Sequence, residues 1–111
     1  MTLERQLMDA CFFGDLKEIK KLIKKGVDIH AYKDELLRTA STTGHLDIVQ
    51  YALSKGSDVH TFEDAPLRWA CTNGHLFVVK YLVENGANIH AFNDDALRRA
   101  IDGSQHEVVI S

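Results

Sequence analysis

No stretch of this chain stays apolar for the roughly 18–20 residues that a bilayer span requires. The opening residues, MTLERQLMDA, are charged and lack the apolar segment of a secretory signal, so an intracellular, cytoplasmic protein is expected. Positive charge is scarce too. The 111 residues carry a net charge of -3, which argues against the general basicity of nucleic-acid binders. Catalytic signatures are missing: there is no G-x-S-x-G elbow, no phosphate-cradling glycine loop and no cysteine beside a local base. Linkers and low-complexity segments are absent as well. These gaps leave no enzyme, no small-molecule substrate and no cofactor to expect, and the length allows one domain, residues 1–111.

What the chain does have is a period of thirty residues. Leu7, Leu37, Leu67 and Leu97 keep that spacing, as do Ala10, Ala40, Ala70 and Ala100. Gly14, Gly44 and Gly74 follow it, then Gly26, Gly56 and Gly86, then His30, His60 and His90. Such a period marks a stacked repeat architecture, with units 1–30, 31–60, 61–90 and a partial 91–111. Within a unit the pattern is helical. One helix is expected from about Glu35 to Thr43, N-capped by Asp34 and ended by Gly44. A second should run from about Leu46 to Lys55 with Ile48, Val49, Ala52 and Leu53 as its apolar stripe. An eight-residue connection, Ser57 to Asp64, leads to the next unit. One helix pair cannot bury its apolar face alone, whereas a stack can.

The stretch GHLFVVKYLVENGANIHA (Gly74 to Ala91) resembles the second helix and turn of the ankyrin repeat, and APLRWA (Ala65 to Ala70) resembles that family's T-P-L-H-x-A. The likeness covers nearly the whole chain and is most specific in the two central units. It implies an all-α solenoid and a non-enzymatic scaffold that binds a partner protein on the concave face built from fingers and first helices. Departures are evident. The family period is typically about 33, and the residues missing here fall in the connection that forms the family's β-hairpin finger. The finger should be blunt, and little or no β-structure is expected. Arginine (Arg38, Arg68, Arg98) replaces the motif's histidine, and histidine (His30, His60, His90) replaces a usual asparagine. Because some ankyrin asparagines are hydroxylated, these histidines are candidate hydroxylation targets. The 30-residue form with N-D-D-A-L-R is similar to arrays of giant DNA viruses, which implies a host cytoplasm.

Several residue groups carry two readings each. His30, His60 and His90 stand one per repeat, roughly 8–10 Å apart if repeats stack like helices. No cysteine or carboxylate cluster completes the four ligands of a structural zinc, so a hydrogen-bonding ladder between connections is expected. Cys11 and Cys71 are two repeats apart, on the order of 16–20 Å, too far for a disulfide. Arg38, Arg68 and Arg98 each follow an aspartate by four residues, which suits a same-helix ion pair. A competing reading makes them an acceptor surface for an acidic partner. Lys17, Lys20, Lys21, Lys24 and Lys25 crowd the first unit's second helix. They read as the charged face of a terminal cap, or alternatively as an electrostatic binder of nucleic acid or an anionic surface. Tyr32, Phe62 and Phe92 are expected to pack between repeats.

Positions that vary across units give the candidate partner-binding face: Phe12, Phe13, Lys33, Thr39, Thr42 and Thr43. Its remaining members are Glu63, Trp69, Thr72, Asn73, Asn93 and Arg99. Trp69 stands out, since Thr39 and Arg99 hold its register position and tryptophan is a common interface anchor. The fourth unit has Ser104 where the others have glycine, and its second helix, HEVVIS, lacks a polar outer cover for Val108, Val109 and Ile110. That end is expected either to fray over Glu107 to Ser111 or to pair weakly with a second copy.

Overall fold

The computed structural model describes residues 2–91 and residue 95. Phe92, Asn93, Arg98, Arg99 and the C-terminal end expected either to fray or to self-pair lie outside the described residues. Six helices follow one another: α1 (Leu3–Phe12), α2 (Leu16–Lys24), α3 (Ala31–Thr43), α4 (Leu46–Ser54), α5 (Thr61–Thr72) and α6 (Leu76–Glu84). No strand occurs among the described residues. First helices pack on first helices, α1 on α3 and α3 on α5, while each second helix backs its own first helix. The core follows the thirty-residue register: Leu7, Leu37 and Leu67 are buried, as are Ala10, Ala40 and Ala70 in the first helices. Ile19, Val49 and Val79 repeat the pattern in the second helices.

Each connection is tighter than a blunted hairpin. Tyr32, Lys33 and Asp34 all wind left-handed, with φ of 57°, 56° and 61°, and the right-handed part of α3 starts only at Glu35. Phe62, Glu63 and Asp64 repeat the turn at φ of 50°, 54° and 58°. Left-handed backbone costs a residue with a side chain about 1–2 kcal/mol, and runs of it are rare. Side chains hold these turns in place. The Arg38 guanidinium donates to the carbonyls of Tyr32 (2.7 Å) and Lys33 (3.4 Å). Arg68 treats Phe62 and Glu63 likewise, at 2.8 and 3.0 Å. Thr61 Oγ1 of the following repeat adds a bond to the Lys33 carbonyl at 2.7 Å. Pro66 fits α5 because it lies in the first right-handed turn, where its missing N–H leaves no bond unmade.

Two sequence expectations are corrected here. Asp34 does not cap α3, and neither Asp34 nor Asp64 pairs with the arginine four residues on. The two carboxylates are buried, and each meets the histidine four residues before it: His30 Nδ1 donates to Asp34 at 2.6 Å, and His60 Nδ1 to Asp64 at 2.7 Å. Each also accepts a backbone N–H from the next connection, Asp58 on Asp34 (3.1 Å) and Asn88 on Asp64 (3.2 Å). The side chains of Asp28, Asp58 and Asn88 accept in turn from the backbone of His30, His60 and His90, each at 2.9 Å. The left-handed turn aims each aspartate away from its helix and toward the next connection. The histidines therefore belong to a ladder, but one in which the aspartate makes the step between successive connections.

On the far side of the turns, the glycines do more than stop helices. Gly44 has φ of 83°, and a β-carbon there would lie 2.6 Å from Cε1 of His75. His75 Nε2 donates to the Thr42 carbonyl at 3.0 Å, and His45 Nε2 to the Phe12 carbonyl at 3.1 Å. The glycine thus makes room for the next repeat's histidine. Gly26 has φ of 105° and open space around it. Gly26→Ala should cost about 1–2 kcal/mol for backbone strain alone. Gly44→Ala should cost about 2–4 kcal/mol, because the His75 ring must also move. Urea unfolding of the two variants checks the order; equal losses would remove the packing role of Gly44.

Candidate functional site

A groove of about 460 Å³ runs along the first helices of the first three units. Five of the expected partner-binding residues line it: Phe12, Thr39, Thr42, Thr43 and Trp69. Phe12 and Trp69 are 60% and 40% exposed, a large apolar area to leave in water along the groove. The threonines are held in fixed rotamers. Thr42 and Thr43 donate to the carbonyls of Arg38 and Thr39, both at 2.8 Å, and each hydroxyl oxygen keeps its capacity to accept a further bond. Glu35, Arg38, Phe62, Ala65 and Arg68 complete the lining.

The other expected residues stand elsewhere. Lys33 and Glu63 are exposed on the left-handed turns, and Lys33 Nζ lies 5.4 Å from the centroid of the Phe62 ring. Phe13 is 78% exposed and faces a separate hollow beside Asp9 and Asp15. Asn73 bridges repeats, its Nδ2 donating to the carbonyls of Thr42 (3.2 Å) and Trp69 (3.0 Å). Thr72 bonds back to the Arg68 carbonyl at 3.1 Å. Of the other groove residues, Arg38 and Arg68 carry a competing reading as an acceptor surface in the sequence, whereas Glu35, Phe62 and Ala65 are not among the expected partner-binding residues. One signal was available: the register position of Glu35 and Ala65 holds Asp95 in the fourth unit, three different residues at one place.

A match to a family model for ankyrin repeats, in three copies, spans residues 7–109. The chain belongs to the ankyrin-repeat family. No curated protein matches it. Ankyrin repeats are generally protein–protein interaction modules, and the family is typically non-enzymatic. In this ankyrin stack the thiols offer no nucleophile: burial pushes Cys11 up to about 12, aided by the nearby charges of Glu35 and Asp47. Burial, with Asp95 nearby, pushes Cys71 up to about 11. Both cysteines are free. Among the described residues no group of three or more histidines, cysteines or carboxylates could hold a metal ion, and no helix is long and apolar enough to cross a membrane. The α2 lysines are exposed, and none pairs with a carboxylate among the described residues. Lys20 lies 5.5 Å from the Tyr51 ring centroid and links α2 to α4 of the next repeat, while Lys55, one turn after Tyr51, lies 5.7 Å from the same centroid.

The His30–Asp34 pair also sets a pH dependence. The hydrogen bond to Asp34 raises the His30 pKa above its ordinary 6.5, outweighing the opposing effect of burial. A raised histidine pKa gives stability that is fully present below the unfolded value and lost as pH rises through the folded one. Urea midpoints of the wild type should therefore fall as pH rises above about 6.5. Asp34→Ala should flatten that slope while costing about 1–3 kcal/mol at every pH, because the Asp58 amide loses its charged acceptor. A slope of opposite sign would overturn the assignment.

Proposed function

We infer that this ankyrin stack binds a partner protein in the groove between Phe12 and Trp69. The observation that carries the reading is the pair of exposed aromatic side chains along the groove on the first helices, where the register is otherwise strict. Tryptophan in such a place gives a large rigid contact at low entropic cost. Its register equivalents, Thr39 and Arg99, show that the stack does not demand an aromatic ring there. The surrounding threonines supply polar contacts without flexible side chains. The lysine face of α2 lies outside the groove and, in this reading, does not contact the partner.

Trp69→Ala and Phe12→Ala test the assignment. Each should weaken partner capture by more than tenfold, the size expected for an interface anchor worth about 2 kcal/mol. Thermal unfolding should move little, since both rings stand partly in water. Quantitative capture from cells with wild-type and variant proteins side by side makes the comparison. A Trp69→Ala protein that loses most of its stability would place the ring in the structural framework instead.

A further inference from the structure

We propose that the groove holds a seat for a partner's carboxylate on Arg38, at the place where Ala65 leaves an internal acid missing. The repeat itself supplies the reference state. Arg68 uses all three of its nitrogens: Nη2 and Nε hold the carbonyls of the left-handed turn, and Nη1 donates to Asp95 of the following repeat at 3.2 Å. Arg38 stands thirty residues earlier and uses Nη2 and Nε in the same way. The residue that corresponds to Asp95 is Ala65. Arg38 Nη1 accordingly has no partner among the described residues, and the guanidinium has no carboxylate.

The surroundings favour an incoming anion. The Arg38 guanidinium carbon lies 4.4 Å from the centroid of Phe62, with Lys33 Nζ near the same ring. Stacking fixes the plane of the guanidinium and leaves its outer edge toward the groove, which Arg38 and Ala65 both line. Glu35 lies one turn before Arg38 and does not pair with it. A carboxylate arriving here makes the charge-assisted bond that Asp95 makes in the next repeat. The partner segment fitting this seat carries an aspartate or glutamate flanked by apolar side chains, the latter covering Trp69. The proposal rests on the groove reading above, and its test separates the two.

The probe is a capped pentapeptide with glutamate between two leucines, compared with its glutamine counterpart. Nitrogen and proton shifts of Arg38 Nε–H and of the Trp69 indole N–H are followed by NMR. The glutamate peptide should move both signals saturably and bind about tenfold more tightly than the glutamine one. Ala65→Asp should supply the missing acid internally and abolish that preference, while Ala65→Asn, its neutral isostere, should keep it. Arg38→Gln should also abolish it, and remains decisive if Ala65→Asp does not fold. Movement of Trp69 by both peptides with no preference for glutamate overturns the carboxylate seat and leaves the groove. No response at Trp69 or Arg38 overturns both.

Discussion

A carboxylate withdrawn from water must find partners for its oxygens, and in this stack the partners come from two different repeats. Asp34 takes a proton donor from His30 and a backbone amide from Asp58, and Asp64 does the same with His60 and Asn88. Burying a charge is costly unless it is paired and hydrogen-bonded. The full set of bonds exists only when successive connections are stacked in register, so the requirement becomes a coupling along the stack. The left-handed turns follow from it. Three consecutive residues give up comfortable backbone angles so that the aspartate points toward the next connection, and Arg38 and Arg68 hold the resulting carbonyls.

The same coupling explains how the stack manages without hairpin fingers. With thirty residues per unit, the connection has too few residues for a paired β-ribbon, and main-chain pairing gives way to side-chain bonds. On the opposite edge, His45 and His75 reach back to the preceding repeat's first helix over a glycine that leaves them space. Between these two polar seams lies the apolar core, in which Leu36, Leu37 and Ile48 are fully buried. The α3/α5 interface is therefore held at both edges and filled in the middle. The groove is positioned by this arrangement, because α1, α3 and α5 cannot slide past one another without breaking a seam.

Much of this was legible in the sequence. The thirty-residue period located the helices, and the start of right-handed α3 at Glu35 falls where the pattern put it. The apolar register identified the core, and the irregular Trp69 pointed toward the groove. The turns were not legible, because tyrosine, phenylalanine, lysine and glutamate have no preference for positive φ. Asp34 was misassigned for a related reason. An aspartate before a helix reads as a local cap, and only the fold reveals an amide twenty-four residues away at 3.1 Å. The arginines looked like partners of those same aspartates, which hid both their role in the turns and the difference between Arg38 and Arg68.

Native-state hydrogen exchange of the Asp58 and Asn88 amides tests most directly whether the aspartates couple successive connections. If they do, these two amides in connecting segments should exchange only through unfolding of the stack, as slowly as core helix amides. Their neighbours in the same connections should exchange through local opening. Rapid exchange of Asp58 and Asn88, at the rate of the surrounding connection, would contradict the account.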